Sequence, residues 1–221
     1  MTDYTKDLPL LEDCGFTKRV VFFDTETSGF HYEIPDVCVL EIGAVLMELD
    51  GSIGSKFEQV ICPNDALMAT MRPGALAVNG FSEGELRERG IPMEDAWGNF
   101  AAWLKDHKVV MSKTQLVAHN AVFDTAFLWQ EAPAIARKYG WVYGQPRVRD
   151  NMALYSQAQS KFIVPYISAS NKGKSSKNIA LQLGVAPEPD MHRALEGALL
   201  NYRIFTNIAQ RTRKWLLEED V

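Results

Sequence analysis

Apolar positions along the chain follow two rhythms: short β-branched or aromatic runs, and longer stretches with a helical repeat. The first short run, RVVFF at 19–23, leads into Asp24 and Glu26. Such a run predicts a buried strand, here ending at Glu26. Residues 31–36 form a polar connection, and 37–49 (VCVLEIGAVLMEL) predict a longer strand carrying Glu41 inside it. Asp50-Gly51 is a hairpin signal, with 56–61 as the return strand. A three-stranded meander therefore opens the chain.

The second half shifts toward the helical repeat. Residues 63–89 are helical and loop material, in which Ser82 followed by Glu85 has the form of a capping box. Met93, Ala96, Trp97, Phe100, Ala101 and Leu104 recur at helical spacing within 92–107 and predict a stripe facing the core. A short strand at 115–119 precedes a helix over 120–139, with Phe123, Phe127, Leu128 and Ile135 on its apolar side. Residues 148–150 predict a strand end, 151–159 a helix, 162–177 a mobile loop, and 177–183 a short helix closed by Gly184. The last helix spans 191–215, with Leu195, Leu199, Tyr202, Phe205 and Ile208 facing inward. Strands first, then strands alternating with helices, predict an α/β sandwich with a mixed central sheet. The length of 221 residues suits one domain over 19–215, with an N-terminal arm at 1–18 and a short acidic tail at 216–221.

Composition narrows the function classes. Hydrophobic content of 47% and charged content of 23% describe a soluble globular protein. A net charge of −5 argues against holding nucleic acid mainly by bulk charge, although bound cations can supply positive charge locally. Residues 141–187 nevertheless carry six bases (Arg147, Arg149, Lys161, Lys172, Lys174, Lys177) against Asp150. Such a strip suits either a polyanionic substrate or simple solvation. Cys14, Cys38 and Cys62 show no CxxC spacing and read as structural thiols. No stretch reaches membrane-spanning length, and a cytoplasmic location is expected.

The chemistry concentrates in a few acids. On a strand, Asp24 and Glu26 share one face. Two carboxylates so placed either end a strand in solvent or share a hard divalent cation such as Mg²⁺ or Mn²⁺. Asp124 falls in the first turn of a helix directly after a buried strand, and His192 at or before the start of the last helix. Each is weak evidence alone.

Together the segments FFDTETSGF, VLEIGAV, ALAVNGF, LVAHNAVFDTAFL and MHRALEGA resemble the DEDDh 3′→5′ exonucleases. That superfamily holds polymerase proofreading subunits, oligoribonuclease and ribonuclease T. The resemblance covers nearly the whole domain and implies a ribonuclease H-like sandwich with helices on both faces of the sheet. Phe30 and the Ala77–Gly80 segment resemble ribonuclease T in particular. By resemblance, Asp24, Glu26 and Asp124 hold two Mg²⁺ or Mn²⁺ ions, and His192 is the general base for the attacking water. The products are nucleoside 5′-monophosphates taken from the 3′ ends of single-stranded DNA or RNA. The same resemblance places the backbone around Thr27, Ser28 and Gly29 at the terminal sugar and Phe30 against the terminal base. Asn120 falls near the scissile phosphate, and Asn79 among the substrate contacts. Phe123 supplies either a second ring or core packing. Val78 and Arg149 stand where further aromatics would line the pocket. A homodimer is a further expectation of this kind.

One departure stands out. The motif closes on His-x-Ala-x-x-Asp, yet here it reads His192-Arg193-Ala194-Leu195-Glu196-Gly197. Glycine supplies no ligand, which leaves the second cation site open to question. Glu196 leaves the helix about 100° away from position 197, whereas Asn201 lies on Gly197's face but offers only an amide. The remaining alternative is a catalytically weak or inactive module that binds nucleic-acid 3′ ends. A third role, as a polymerase accessory subunit, has only the short tail after Trp215 to support it.

Overall fold

The computed structural model describes residues 18–145, 147–161, 163–165, 174–189 and 191–219. Its sheet comprises β1 (Arg19–Thr27), β2 (Val39–Met47), β3 (Ile53–Cys62), β4 (Ile91–Pro92), β5 (Thr114–Ala118) and β6 (Val148–Asp150), in the order β4-β3-β2-β1-β5-β6. The meander β1-β2-β3 is antiparallel, whereas β5 runs parallel to β1, β6 to β5 and β4 to β3. The sheet is therefore mixed. The two-residue β4 has no counterpart in the hydrophobic pattern.

Helices cover both faces. After β3 come α1 (Asp65–Met68), α2 (Pro73–Asn79) and α3 (Glu83–Arg89), over a small cluster that includes Leu40, Val60, Phe81 and Leu86. On one face, α4 (Met93–Asp106), α5 (Ala121–Glu131) and α6 (Pro133–Tyr139) pack against Val21 and Phe23. On the other, α7 (Asn151–Ser160), α8 (Ser176–Leu183) and α9 (Ala194–Glu219) pack against Val20 and Phe22. Alternate residues of one strand thus feed two cores, as the period of two requires. Phe22 meets Tyr202 and Phe205 of α9 edge-on at 5.5 and 5.2 Å.

Three expected boundaries shift. The helix expected over 120–139 is two helices, because Pro133 lacks an N–H and Ala132 before it adopts φ −131°, ψ 55°. The last helix begins at Ala194, so His192 precedes it, and it continues through Glu219 into the segment read as a tail. The described part of the loop expected at 162–177 ends where α8 begins, at Ser176. Most of that loop, residues 1–17 of the arm and residues 220–221 lie outside the described residues.

Two contacts bring α9 onto the sheet. Gly43 stands opposite Asp24 in the β1-β2 register, and a Cβ there would lie 2.0 Å from the carbonyl carbon of Ala194. Only a glycine admits the helix so close. Glu41, opposite Glu26, is fully buried and accepts the Ala194 N–H at 2.8 Å. A carboxylate at a helix N-terminus is favoured by the exposed amides and the helix dipole.

Candidate active site

A cavity of about 730 Å³ opens at the end of β1, and Asp24, Glu26, Asp124 and His192 all line it. Asp24 and Glu26 continue the Val20/Phe22 face of β1 toward α9. Asp124 arrives from the first turn of α5 and is 3% exposed. Its Oδ1 accepts both the Thr25 N–H at 2.9 Å and the Thr25 hydroxyl at 2.8 Å, which ties α5 to β1. The turn into α5 is held in place by Asp150, whose carboxylate accepts the N–H groups of Asn120 and Ala121, each at 3.1 Å.

Crowding these acids shifts their protonation. Burial, then Asp124, Glu26 and Glu188, push Asp24 well above the usual carboxylate range. Burial, then Glu188, Glu41 and Asp124, raise Glu26 to about 8, and the Arg193 guanidinium opposes this. Burial raises Asp124 to about 7 against the two Thr25 hydrogen bonds. Acids gathered and desolvated in one cleft are the signature of a site made for a positive partner.

His192 stands at the cavity mouth with its side chain about half exposed, and its N–H reaches the Val78 carbonyl at 3.3 Å. Glu188, which sequence reasoning missed, joins it. The Glu188 side chain is 9% exposed, its Oε2 is 3.7 Å from His192 Nδ1, and its Oε1 has no hydrogen-bond partner among the described residues. Ligand atoms of Glu26, Glu188 and His192 all lie within 4.8 Å of one another. The carboxylates of Asp24, Glu26, Asp124 and Glu188 in one cavity suit Mg²⁺ or Mn²⁺, so the residues present fit the cation that the fold implies, with the His192 imidazole beside them. No local signal marks Glu188: it sits in the Pro187-Glu188-Pro189 stretch, outside any periodic element.

The expected substrate residues divide. Thr27, Gly29, Phe30, Asn79, Asn120 and Phe123 line the cavity. Gly29 leaves no room for a side chain, since a Cβ would lie 2.5 Å from Val37 Cγ1. Ser28 does not line the cavity: it is fully buried, its hydroxyl accepts the Cys38 N–H at 2.9 Å, and its own N–H and carbonyl are engaged by Cys38 and Arg72. Asn79 is also occupied internally, donating to the Thr27 carbonyl at 3.1 Å and accepting the Phe81 N–H at 3.2 Å.

Aromatics gather at the mouth. Phe30 is 57% exposed and Tyr32 73%, and their rings stack at 5.3 Å with planes 7° apart. Tyr32 was not anticipated. A turn of 3-10 helix at His31–Glu33, braced by Glu33 to Arg72 at 2.9 Å, holds the pair. Phe123 is only partly buried and meets His31 edge-on at 5.5 Å, so it bridges the mouth and the core. Val78 lines the cavity, half exposed. Of the basic strip, Lys174 lines a smaller adjoining cleft that shares His119, Asn120 and Ser176 with the main cavity.

Of the two local substitutes for the missing motif acid, Asn201 lines the cavity but is engaged elsewhere, and Glu196 lies outside it. Asn201 donates to the Phe23 carbonyl at 3.2 Å and accepts from Asn151 at 3.3 Å, so its amide is spent on structure. Glu196 is not among the residues that line the cavity. Gly197 itself packs on Asp24: a Cβ at position 197 would lie 2.2 Å from Asp24 Oδ2.

Among the described residues, no helix is long and apolar enough to cross a membrane. The DNA polymerase III subunit epsilon of Treponema pallidum (strain Nichols) is 29% identical over 186 residues, covering 84% of this chain and 74% of that protein. The same subunit of Pasteurella multocida (strain Pm70) is 32% identical over 115 residues, 50% of this chain and 40% of that protein. Escherichia coli exonuclease I, solved with an oligonucleotide, superposes with a TM-score of 0.66 at 17% identity over 90% of this chain, which spans only 42% of that one. The nuclease domain of 3′hExo, a DEDDh family member solved with rAMP, gives 0.65 at 14% identity over 88% of this chain and 92% of that one. These likenesses show a shared ribonuclease H-like fold. The model of the 3′-5′ exoribonuclease Rv2179c-like domain matches residues 19–209, and the chain therefore belongs to that family, within the DEDDh exonuclease superfamily.

Proposed function

We propose that this chain is a divalent-cation-dependent 3′→5′ exonuclease that releases nucleoside 5′-monophosphates from single-stranded 3′ ends. The observation that carries the reading is the convergence of Asp24, Glu26, Asp124 and His192 on one cavity. Bound Mg²⁺ or Mn²⁺ supplies the positive charge that a phosphodiester needs as it is attacked, and lowers the pKa of the attacking water.

The chain's own residues do the rest. His192, half exposed beside the acids, takes the proton of the attacking water through its imidazole. Thr25 holds Asp124 in its inward rotamer through two hydrogen bonds. Phe30 and Tyr32 form a two-ring platform for the terminal base, a contact that tolerates any base because each has a π-face. Thr27 and Gly29 keep the strand end open for the sugar, and Asn120 stands toward the phosphate. The smaller cleft with Lys174 extends the path for the preceding nucleotides.

A 5′-labelled single strand, offered as RNA and as DNA with Mg²⁺ or Mn²⁺, tests this. The expected result is a ladder shortening from the 3′ end that stops in EDTA. A gel shift without shortening would replace the enzyme by an end-binding module.

A further inference from the structure

We propose that Glu188 is the carboxylate that replaces the missing motif acid in the cation site. The assignment rests on the cavity being a divalent-cation site and adds a ligand from outside the family pattern.

A side chain at position 197 would displace the Asp24 carboxylate from its place in this fold. A Cβ there would stand 2.2 Å from Asp24 Oδ2 and 2.5 Å from Asp24 Cγ. The helix comes this close because Gly43 lets the first turn of α9 lie on the backbone of β2. Asp24 thus fills the space through which a side chain at 197 would have to pass. An acid that comes from another direction completes the site without moving Asp24.

Glu188 comes from such a direction, from the connection between α8 and α9. Its side chain is nine-tenths buried, it lines the cavity, and its Oε1 lacks a hydrogen-bond partner among the described residues. The groups facing it are His192, the Arg193 N–H, Glu196 and Arg203. A buried oxygen left without a donor is costly; Glu41 Oε1 is another, but it faces the Arg193 guanidinium at 3.6 Å, whereas Glu188 faces the cavity. A cation suits this carboxylate, because one of its oxygens lies within 4.8 Å of ligand atoms of Glu26 and His192. At 3.7 Å, the Glu188–His192 ion pair falls short of a hydrogen bond, so Glu188 remains available to a third party.

The probe is Mn²⁺ titrated calorimetrically into the metal-free protein and into Glu188→Gln and Glu196→Gln variants. Each fold is first checked by circular dichroism. Glu188→Gln keeps shape and volume, and it weakens Mn²⁺ binding about 10-fold or more, whereas Glu196→Gln stays near wild type. Glu188→Gln binding Mn²⁺ as tightly as wild type overturns the assignment while leaving the cation site intact. Wild type failing to take up Mn²⁺ at all overturns the underlying reading as well. Should Glu188→Gln fold poorly, Glu188→Asp decides the matter. That variant retains the charge but shortens the reach, so unchanged Mn²⁺ affinity overturns the assignment and reduced affinity supports it.

Discussion

Glu26 and Glu41 face each other on one rung of the β1-β2 ladder, and both are buried, yet they are built for different ends. Glu41 receives the Ala194 N–H and lies 3.6 Å from the Arg193 guanidinium, so burial raises its pKa while these partners pull it back. Burial, and then the surrounding acids, push Glu26 to about 8. Glu131, on the far side of the sheet, follows Glu41, taking the Val39 N–H at 2.8 Å and the Trp97 indole N–H at 2.9 Å. A buried carboxylate paired with a helix N-terminus and a guanidinium holds the fold together, whereas one placed among other carboxylates at an open cavity suits a cation.

The contrast breaks most visibly in activity. Glu26→Gln is expected to lower kcat by about 10²–10³-fold while leaving the metal-free melting temperature unchanged or higher, since it makes permanent the neutral form that burial already favours without metal. Glu41→Gln should do the reverse, losing about 2 kcal/mol of stability with little change in kcat, because a neutral amide weakens the clamp on α9. Equal losses of activity in both variants would dissolve the distinction.

The pH dependence follows from the same acids. Glu26 is raised from 4.5 to about 8 and Asp124 from 3.8 to about 7, so the folded protein holds protons that the unfolded chain releases. Metal-free stability is therefore greatest near pH 4 and falls as the pH rises to about 8. Melting curves in EDTA against Mg²⁺ check this, with Mg²⁺ flattening the decline.

Gly197→Ala should cost about 1–3 kcal/mol, since the new methyl displaces Asp24, partly offset by better helix propensity. Gly197→Asp, which restores the motif, is expected to lower nuclease activity for the same reason. A gain in kcat would show that the motif acid can be accommodated after all. The smallest effect is at the mouth, where Phe30→Ala weakens single-strand binding by about 1–2 kcal/mol, read as a rise in KM at nearly constant kcat.

Much of this was legible in residue order. The period of two put Asp24 and Glu26 on one face, the strand-to-helix step at His119-Asn120 aimed Asp124 inward, and His192 fell just ahead of the last helix. The break at Pro133 went unread in the hydrophobic pattern, although proline carries its own stop signal. The residue order did not reveal that the Ser28 hydroxyl points away from its pocket-lining neighbours and accepts the Cys38 N–H.

The sequence by itself determined the longer strands, most of the helices and four of the groups that meet in the cavity, because backbone periodicity and short motifs are local properties. Only the tertiary structure decided which carboxylates obtain donors and which do not. Glu41 is satisfied by an amide 153 positions away, Asn201 is spent on a carbonyl 178 positions away, and Glu188 reaches Glu26 from a stretch with no period of its own. Proximity across such separations is set by how α9 seats on Gly43 and Asp24, and no local pattern in the chain encodes that seat.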